Sequence, residues 1–305
     1  MPDSPISASP YEVLGVSESV SHDDLRAAYR RLLRETHPDT GGNSDRFVAV
    51  QLAWERIGDP DDRAAYDRGH STSGPQTSWA PTPPDRSPKP DTRPRARSYG
   101  HPGGWRRERY LDLIKEWVGR GTEIADPYDP ALVRSAPRDL RHILADAIAE
   151  EATARTLADL GIGFTIWHDV ATWSSEAKID HVILGPTGLY AVLSEDFGGP
   201  VRSKRGELIG DALDGERPMH ELAARAKAVT RSARVRFSGL LIVLPDDALE
   251  EPLLELGTVR GARTGAIRQS QLGYFLRSGL PGVAPVGGNE LFDIRTRLAA
   301  AVTFA

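Results

Sequence analysis

Cysteine is absent from the 305-residue sequence. Disulfides, thiol nucleophiles and cysteine-ligated zinc are therefore excluded, and a reducing cytosol suits such a chain. Long hydrophobic runs are missing as well. The longest, such as GLLIVLP at 239–245, fall far short of the roughly 20 residues that a membrane-spanning helix needs, so no membrane contact is expected. The opening MPDSPISASP has neither a basic start nor an apolar stretch, which is unlike a secretory leader. Positive charge is not in excess: Lys and Arg number 38 against 43 Asp and Glu, a formal net charge of −5. That balance argues against a broad electrostatic grip on nucleic acid or anionic lipid, and leaves open only a local basic patch.

What is present falls into three regions. Up to about His70 the chain reads as helical. Residues 71–104 are rich in proline, serine, threonine and arginine. A segment of that composition buries too little apolar surface to offset its ordering, and is expected to be a disordered linker. From Trp105 onward helices and strands alternate.

In the first region Ser21 and Asp24 form a helix-start box. Leu25, Ala28, Tyr29 and Leu32 follow at i, i+3, i+4 and i+7 as an apolar stripe. Arg26, Arg30 and Arg34 line another face, with Arg31 beside them. The helix must stop before Pro38. A second helix, from Asn43 or Ser44, repeats Phe47, Val50, Trp54 and Ile57 at helical spacing, so the two pair as an antiparallel hairpin. Tyr11 and Leu14 are expected to close one end of its core and Tyr66 the other. The tip carries His37, Pro38 and Asp39: a rigid proline between a titratable donor and a fixed acceptor, with no apolar core residue. Such a tip is a contact point, and the arginines leading into it are a steering surface for an acidic partner.

The blocks YEVLGV at 11–16, LRAAYRRLLRETHPD at 25–39 and FVAVQLAWERIGD at 47–59, followed by Arg63, Tyr66 and Asp67, closely resemble a J-domain, the activating module of DnaJ-type co-chaperones. The resemblance implies that His37, Pro38 and Asp39 contact a DnaK-type heat-shock chaperone near its interdomain linker and promote ATP hydrolysis there. It implies that Arg26, Arg30 and Arg31 dock on the chaperone's acidic face, with Arg34 at the edge. Thr36 departs from the family, which usually has an aromatic residue or lysine there, and Glu35 dilutes the basic face. Both departures imply weaker docking. The family's cysteine-rich zinc module and Gly/Phe stretch are missing, which leaves the C-terminal region to select a client or a location.

In that region 137–160 reads as a long helix with Leu140, Ile143, Leu144, Ala147, Ala154 and Leu157 on its buried side, ended by Gly161; Glu150 falls at the edge of the stripe. Strands are expected at 164–170, 178–185, 189–195 and 236–244, with a helix over 221–233 before the last. Helix, three strands, helix, strand describes an α/β layer fold. His142, His168, His181 and His220 show no metal-ligand spacing, and the Gly-rich 281–290 reads as a loop before a last helix.

This order, with the block KIDHVILGPTGLYAVLS, resembles the nuclease-related (NERD) domain, a branch of the restriction-endonuclease-like fold. In active members a helix glutamate, a strand aspartate and a Glu-x-Lys on the next strand meet around Mg²⁺. Glu and Lys two apart on a strand face the same way, so the carboxylates hold the metal while the lysine assists the attacking water. Carried onto this chain, Glu150 (or Glu151) matches the helix glutamate and Asp180 the strand aspartate. The Glu-x-Lys positions hold Leu193, which cannot bind a metal, and Glu195, which reverses the lysine's charge. Lys178, on the same strand face as Asp180, is the one candidate for a relocated lysine.

The expected architecture is multidomain: an all-α J-domain hairpin over 9–70, the disordered linker, a helical connector over 105–139, an α/β restriction-endonuclease-like domain over 140–285, and a C-terminal helix over 286–305. The expected function is a cytoplasmic co-chaperone that stimulates ATP hydrolysis by a DnaK-type chaperone. Its NERD-like domain is expected to bind a client protein, with no metal and no cofactor; nucleic acid is the less favoured ligand. The alternative is a metal-dependent DNA nuclease with a rearranged site of Glu150, Lys178, Asp180 and Glu195, whose J-domain recruits the chaperone.

Overall fold

The computed structural model of the chain describes residues 8–36, 44–70, 95–119, 121–173, 177–213 and 215–305. They belong to two compact units, one within Met1–Pro90 and one within Asp91–Ala305. No helix among the described residues is long and apolar enough to cross a membrane.

In the first unit, helix α1 (Pro10–Val13) opens on a capping box: the Ser9 hydroxyl accepts the Glu12 N–H, and the Ser9 N–H donates to the Glu12 carboxylate at 2.8 Å. Helix α2 (His22–Thr36) opens at Ser21, whose hydroxyl accepts the Asp24 N–H at 3.2 Å and donates to its carboxylate at 2.7 Å. Helices α3 (Ser44–Ile57) and α4 (Pro60–His70) follow. Leu25 and Leu32 of α2 meet Val50, Ala53 and Ile57 of α3 in one core with Tyr11 and Leu14, and Tyr29 stacks on Trp54 with ring centroids 4.4 Å apart. The Tyr66 ring meets Tyr11 edge-on at 6.0 Å, so the two tyrosines close the same end of the core, not opposite ends. Arg63 is the reason. Its guanidinium donates to the Tyr11 hydroxyl at 2.9 Å and to the carbonyls of Glu18 and Val20 at 2.9 and 2.8 Å, which draws α4 onto the turn between α1 and α2.

The second unit contains strands β1 (Arg97–Tyr99), β2 (Thr165–Val170), β3 (Ile179–Gly185), β4 (Gly188–Ser194), β5 (Arg202–Lys204), β6 (Glu207–Ile209), β7 (Gly239–Leu244), β8 (Leu253–Val259) and β9 (Ala262–Arg268). Its helices are α5 (Gly104–Val118), α6 (Pro130–Ser135), α7 (Arg138–Ala158), α8 (Pro218–Ala233), α9 (Leu272–Ser278) and α10 (Gly288–Ala301). Seven strands form one mixed sheet in the order β1-β2-β3-β4-β7-β9-β8, with β5 and β6 a separate hairpin. Strands β2, β3, β4 and β7 are buried throughout, as expected of central strands covered on both faces. The β3–β4 turn closes on a Gly185–Gly188 pair. Gly188 has φ of 146°, and a Cβ there would come within 2.7 Å of the Ser238 side chain, so only glycine fits. One apolar cluster unites the sheet with α8 and α10, and another unites it with Leu157 of α7 and Leu272 and Leu276 of α9. The result is a three-layer α/β arrangement.

Three expectations are corrected here. The linker expected over 71–104 lies outside the described residues up to 94, but from 95 on the chain is structured: β1 pairs in parallel with β2 through Arg97↔Thr165 to Tyr99↔Trp167. Residues 105–139 are not merely a connector, because Tyr110 and Ile114 of α5 and Val133 of α6 share a core with Leu144 of α7. Glu150 does not sit at a helix edge but is fully buried.

Candidate functional site

On the first unit the candidate surface is one face of α2. Arg26, Arg30, Arg31 and Arg34 are all exposed. Arg26 lies 3.1 Å from His22 Nε2, Arg34 donates to the Arg30 carbonyl at 3.2 Å, and Arg31 reaches Glu35 at 3.9 Å. An exposed pair at i, i+4 holds its partners only by a few tenths of a kcal/mol, so the guanidiniums of Arg26, Arg30 and Arg31 can exchange these contacts for a partner's. Thr36 turns inward: it is buried and its hydroxyl donates to the Leu32 carbonyl at 2.8 Å, so it presents nothing to a docking surface. His37, Pro38 and Asp39 lie outside the described residues.

On the second unit the chemistry collects where α5, α7 and the ends of β2, β3 and β4 meet. Lys178, the residue before β3, is 2% exposed. Its ammonium donates to Glu150 Oε2 at 2.7 Å, to Asp180 Oδ1 at 2.9 Å and to Asp169 Oδ1. Asp169 reaches it because the β2–β3 register passes from His168↔His181 to Val170↔Ile179 with Asp169 at φ 51°, a left-handed conformation that aspartate tolerates better than most residues. The other Asp180 oxygen accepts the Ser194 N–H at 2.8 Å and faces Arg106 Nη1 at 3.3 Å. Arg106, from the first turns of α5, also lies 3.5 Å from Glu150 Oε2 and donates to the Ser194 carbonyl at 3.1 Å and to Glu195 Oε1 at 3.0 Å.

Two cations thus face four acids: Lys178 and Arg106 against Glu150, Asp169, Asp180 and Glu195. Buried charge left over in this way is costly, and a carboxyl answers by holding a proton. Glu150 shifts in that direction. Burial pushes its pKa well above the usual range, and the negative charge of Asp180 adds to the effect against the opposing Lys178 and Arg106. Asp180 itself goes the other way: Arg106 and Lys178 overcome its burial and hold it far below the usual carboxylate range. Lys178 is buried but its pKa is raised, because Asp180, Glu150 and Asp169 outweigh desolvation and the repulsion of Arg106.

Beside the cluster runs a chain of hydrogen bonds across three strands. Ser98 Oγ lies 2.6 Å from His168 Nε2, and His168 Nδ1 lies 2.7 Å from His181 Nδ1. One proton serves the two facing ring nitrogens. Burial favours the uncharged rings, lowering His168 to about 4 and His181 well below its ordinary value.

The four residues of the nuclease alternative therefore do meet: Lys178 joins Glu150 to Asp180, and Arg106 joins both to Glu195. The donor set does not fit the magnesium site that the resemblance implies. Glu150 Oε2 and Asp180 Oδ1 are taken by the Lys178 ammonium, while Glu150 Oε1 is buried with no hydrogen-bond partner among the described residues. Leu193, one step beyond the registered pair His181↔Val192 and so opposite Asp180, is buried in the apolar cluster. Arg106 and Asp169 were not picked out from the sequence. Arg106 sits in a polar run, WRRERY, that reads as a solvated helix face, and Asp169 depends on a backbone twist that no pattern signals.

Both units match known domains. Residues 9–67 match the DnaJ domain, and residues 145–243 match the nuclease-related domain. The chain carries a J-domain and a NERD domain. Over 58 residues it is 45% identical to a DnaJ protein homolog of Cucumis sativus, covering 19% of this chain and 14% of that one. Over 65 residues it is 49% identical to the chaperone protein DnaJ of Tropheryma whipplei (strain Twist), covering 21% and 18%. The chaperone protein DnaJ of Cyanothece sp. (strain PCC 7425 / ATCC 29141) is 46% identical over 61 residues, covering 19% and 16%. The chain spans under a fifth of the length of these relatives, and the shared part is the J-domain. The expected segment 140–285 encloses the NERD match.

Proposed function

We propose that this protein is a cytoplasmic co-chaperone: its J-domain stimulates ATP hydrolysis by a DnaK-type chaperone, and its NERD domain binds a client or partner instead of cutting nucleic acid. The chaperone half is supported by the exposed arginines of α2 leading into His37, Pro38 and Asp39. The observation that carries the binding half is the Lys178 ammonium. It sits among Glu150, Asp169 and Asp180, holds one oxygen of each, and puts a fixed positive charge where a catalytic divalent ion would have to bind. Leu193 supplies no donor to replace them.

The direct test is single-turnover ATP hydrolysis by the chaperone with the full chain present. Wild type is expected to accelerate hydrolysis, and His37→Gln to leave the basal rate, with an unchanged thermal melt. Equal acceleration by both proteins would remove the functional content of the J-domain assignment.

A further inference from the structure

Outside the Lys178 cluster, beside Arg106, three potential ligands face one another. Helix α7 places His142 and Asp146 at i and i+4, hence on one face. Glu195 arrives from the residue after β4, fixed there by its N–H donating to the Val243 carbonyl at 3.1 Å. One ligand atom from each of the three lies within 4.8 Å of the others. We propose that His142, Asp146 and Glu195 form a binding site for a divalent first-row transition-metal ion.

The observation that points to a ligand is His142 Nε2. It is shielded from solvent and has no hydrogen-bond partner. The nearest acid oxygen, Asp146 Oδ1, is 3.7 Å away, beyond hydrogen-bond reach. A desolvated ring nitrogen left in that state costs about 1–3 kcal/mol. Metal ligands at about 2.0–2.2 Å from an ion stand somewhat over 3 Å apart, so 3.7 Å is close to what a shared ion would set. The ring is held in place edge-on against Phe197, centroids 6.1 Å apart.

The Asp146 carboxylate is also fixed in direction. Asp146 Oδ1 accepts the Asp196 N–H at 3.1 Å, which orients the carboxylate as outer partners of metal ligands do.

The donor set selects the ion. One imidazole with two carboxylates suits Zn²⁺, Mn²⁺ or Fe²⁺, whereas Ca²⁺ and Mg²⁺ take oxygen alone. The side chains of His142, Asp146 and Glu195 are 21%, 13% and 13% exposed, so an ion can enter and keep coordination positions for water. The site shares neither Glu150 nor Asp180 with the position implied by the nuclease resemblance. It uses Glu195, the residue that stands where that resemblance would have a lysine, so the reversed charge becomes a ligand.

The test uses untagged, chelator-stripped full-length protein, titrated with Zn²⁺ by calorimetry and with Mn²⁺ by electron paramagnetic resonance. One ion per chain is expected. His142→Gln and Glu195→Gln, each at a partly exposed side chain, should weaken it by about tenfold or more, while His101→Gln leaves it unchanged. The ion should raise the wild-type melting temperature and not that of the two variants. Binding that is absent at millimolar ion, or that survives both substitutions, overturns the proposal. Either result is independent of whether the J-domain stimulates a chaperone.

Discussion

At the residue scale the second unit is organised by one ammonium group. Lys178 is buried against three carboxylates, and a buried pair broken from one side leaves uncompensated charge. Lys178→Met should therefore destabilise the protein by about 3–5 kcal/mol in denaturant unfolding near neutral pH, and by less in acid, where the carboxyls take protons instead. A variant as stable as wild type would show that the ion pairs contribute nothing. The buried imidazoles give a second expectation. His168 has its folded pKa lowered to about 4 from 6.5, so the folded state refuses a proton that the unfolded chain accepts. Stability from this group is present above about pH 6.5 and lost as pH falls toward 4, by up to about 3 kcal/mol. Glu150 and Asp146, held above the usual carboxylate range, push the other way, so the informative quantity is a difference. Between about pH 7 and about pH 4.5 the denaturation midpoint should fall less for His168→Gln than for wild type; parallel profiles would count against a neutral His168. Sequence alone brought Glu150, Asp180, Lys178 and Glu195 into one argument, because each stands at or beside a recognisable motif position. It could not supply Arg106 or Asp169, since neither charge period nor apolar period marks a residue that reaches a site from an adjoining element.

At the element scale, α2 has two faces with separate duties. Leu25, Ala28 and Leu32 bury against α3, while the arginines stay in solvent. Exposed charges act on encounter more than on residence. Arg30→Glu should slow association with the chaperone more than it speeds dissociation, and the wild-type association rate should fall as salt shortens the Debye length from about 8 Å; stopped-flow binding at several salt concentrations reads both, and a salt-independent rate would reject this face. The elements legible in the sequence were those with one strong period or one continuous apolar run: α2, α3, α7, α8, β2, β3, β4 and β7. Those that escaped have neither. Strand β1 is three exposed residues next to a proline-rich stretch, and β8 is mostly solvent-facing, with only Leu256 buried. Position Tyr66 was misjudged for a different reason: the end of the core it closes is set by the long-range bonds of Arg63, which no local pattern reveals.

At the scale of the whole molecule, two domain types share one chain, and the reading that assigns cutting to neither has a plain assay. Full-length protein incubated with supercoiled and linear DNA in Mg²⁺ and in Mn²⁺ should leave both intact. Nicking that disappears in a folded Asp180→Asn variant would establish a nuclease and point to Lys178 as its relocated lysine. Equal nicking in both proteins would mark a contaminant. There is also a mechanical side to the architecture. Strand β1 is the first structured piece after residue 94, it lies at the sheet edge, and it is joined to β2 along only three residues. Next in the chain comes α5, which carries Arg106. A pull at residue 95 toward the N-terminus therefore loads β1 first and α5 second, and leaves the central strands for last. Residues 95–118 would pay out about 80 Å of slack at 3.3–3.6 Å each. Peeled in that order, the chain gives up the Arg106 guanidinium while the sheet is still whole, and force is converted into unbalanced negative charge at Glu195, with Asp180 left to Lys178 alone.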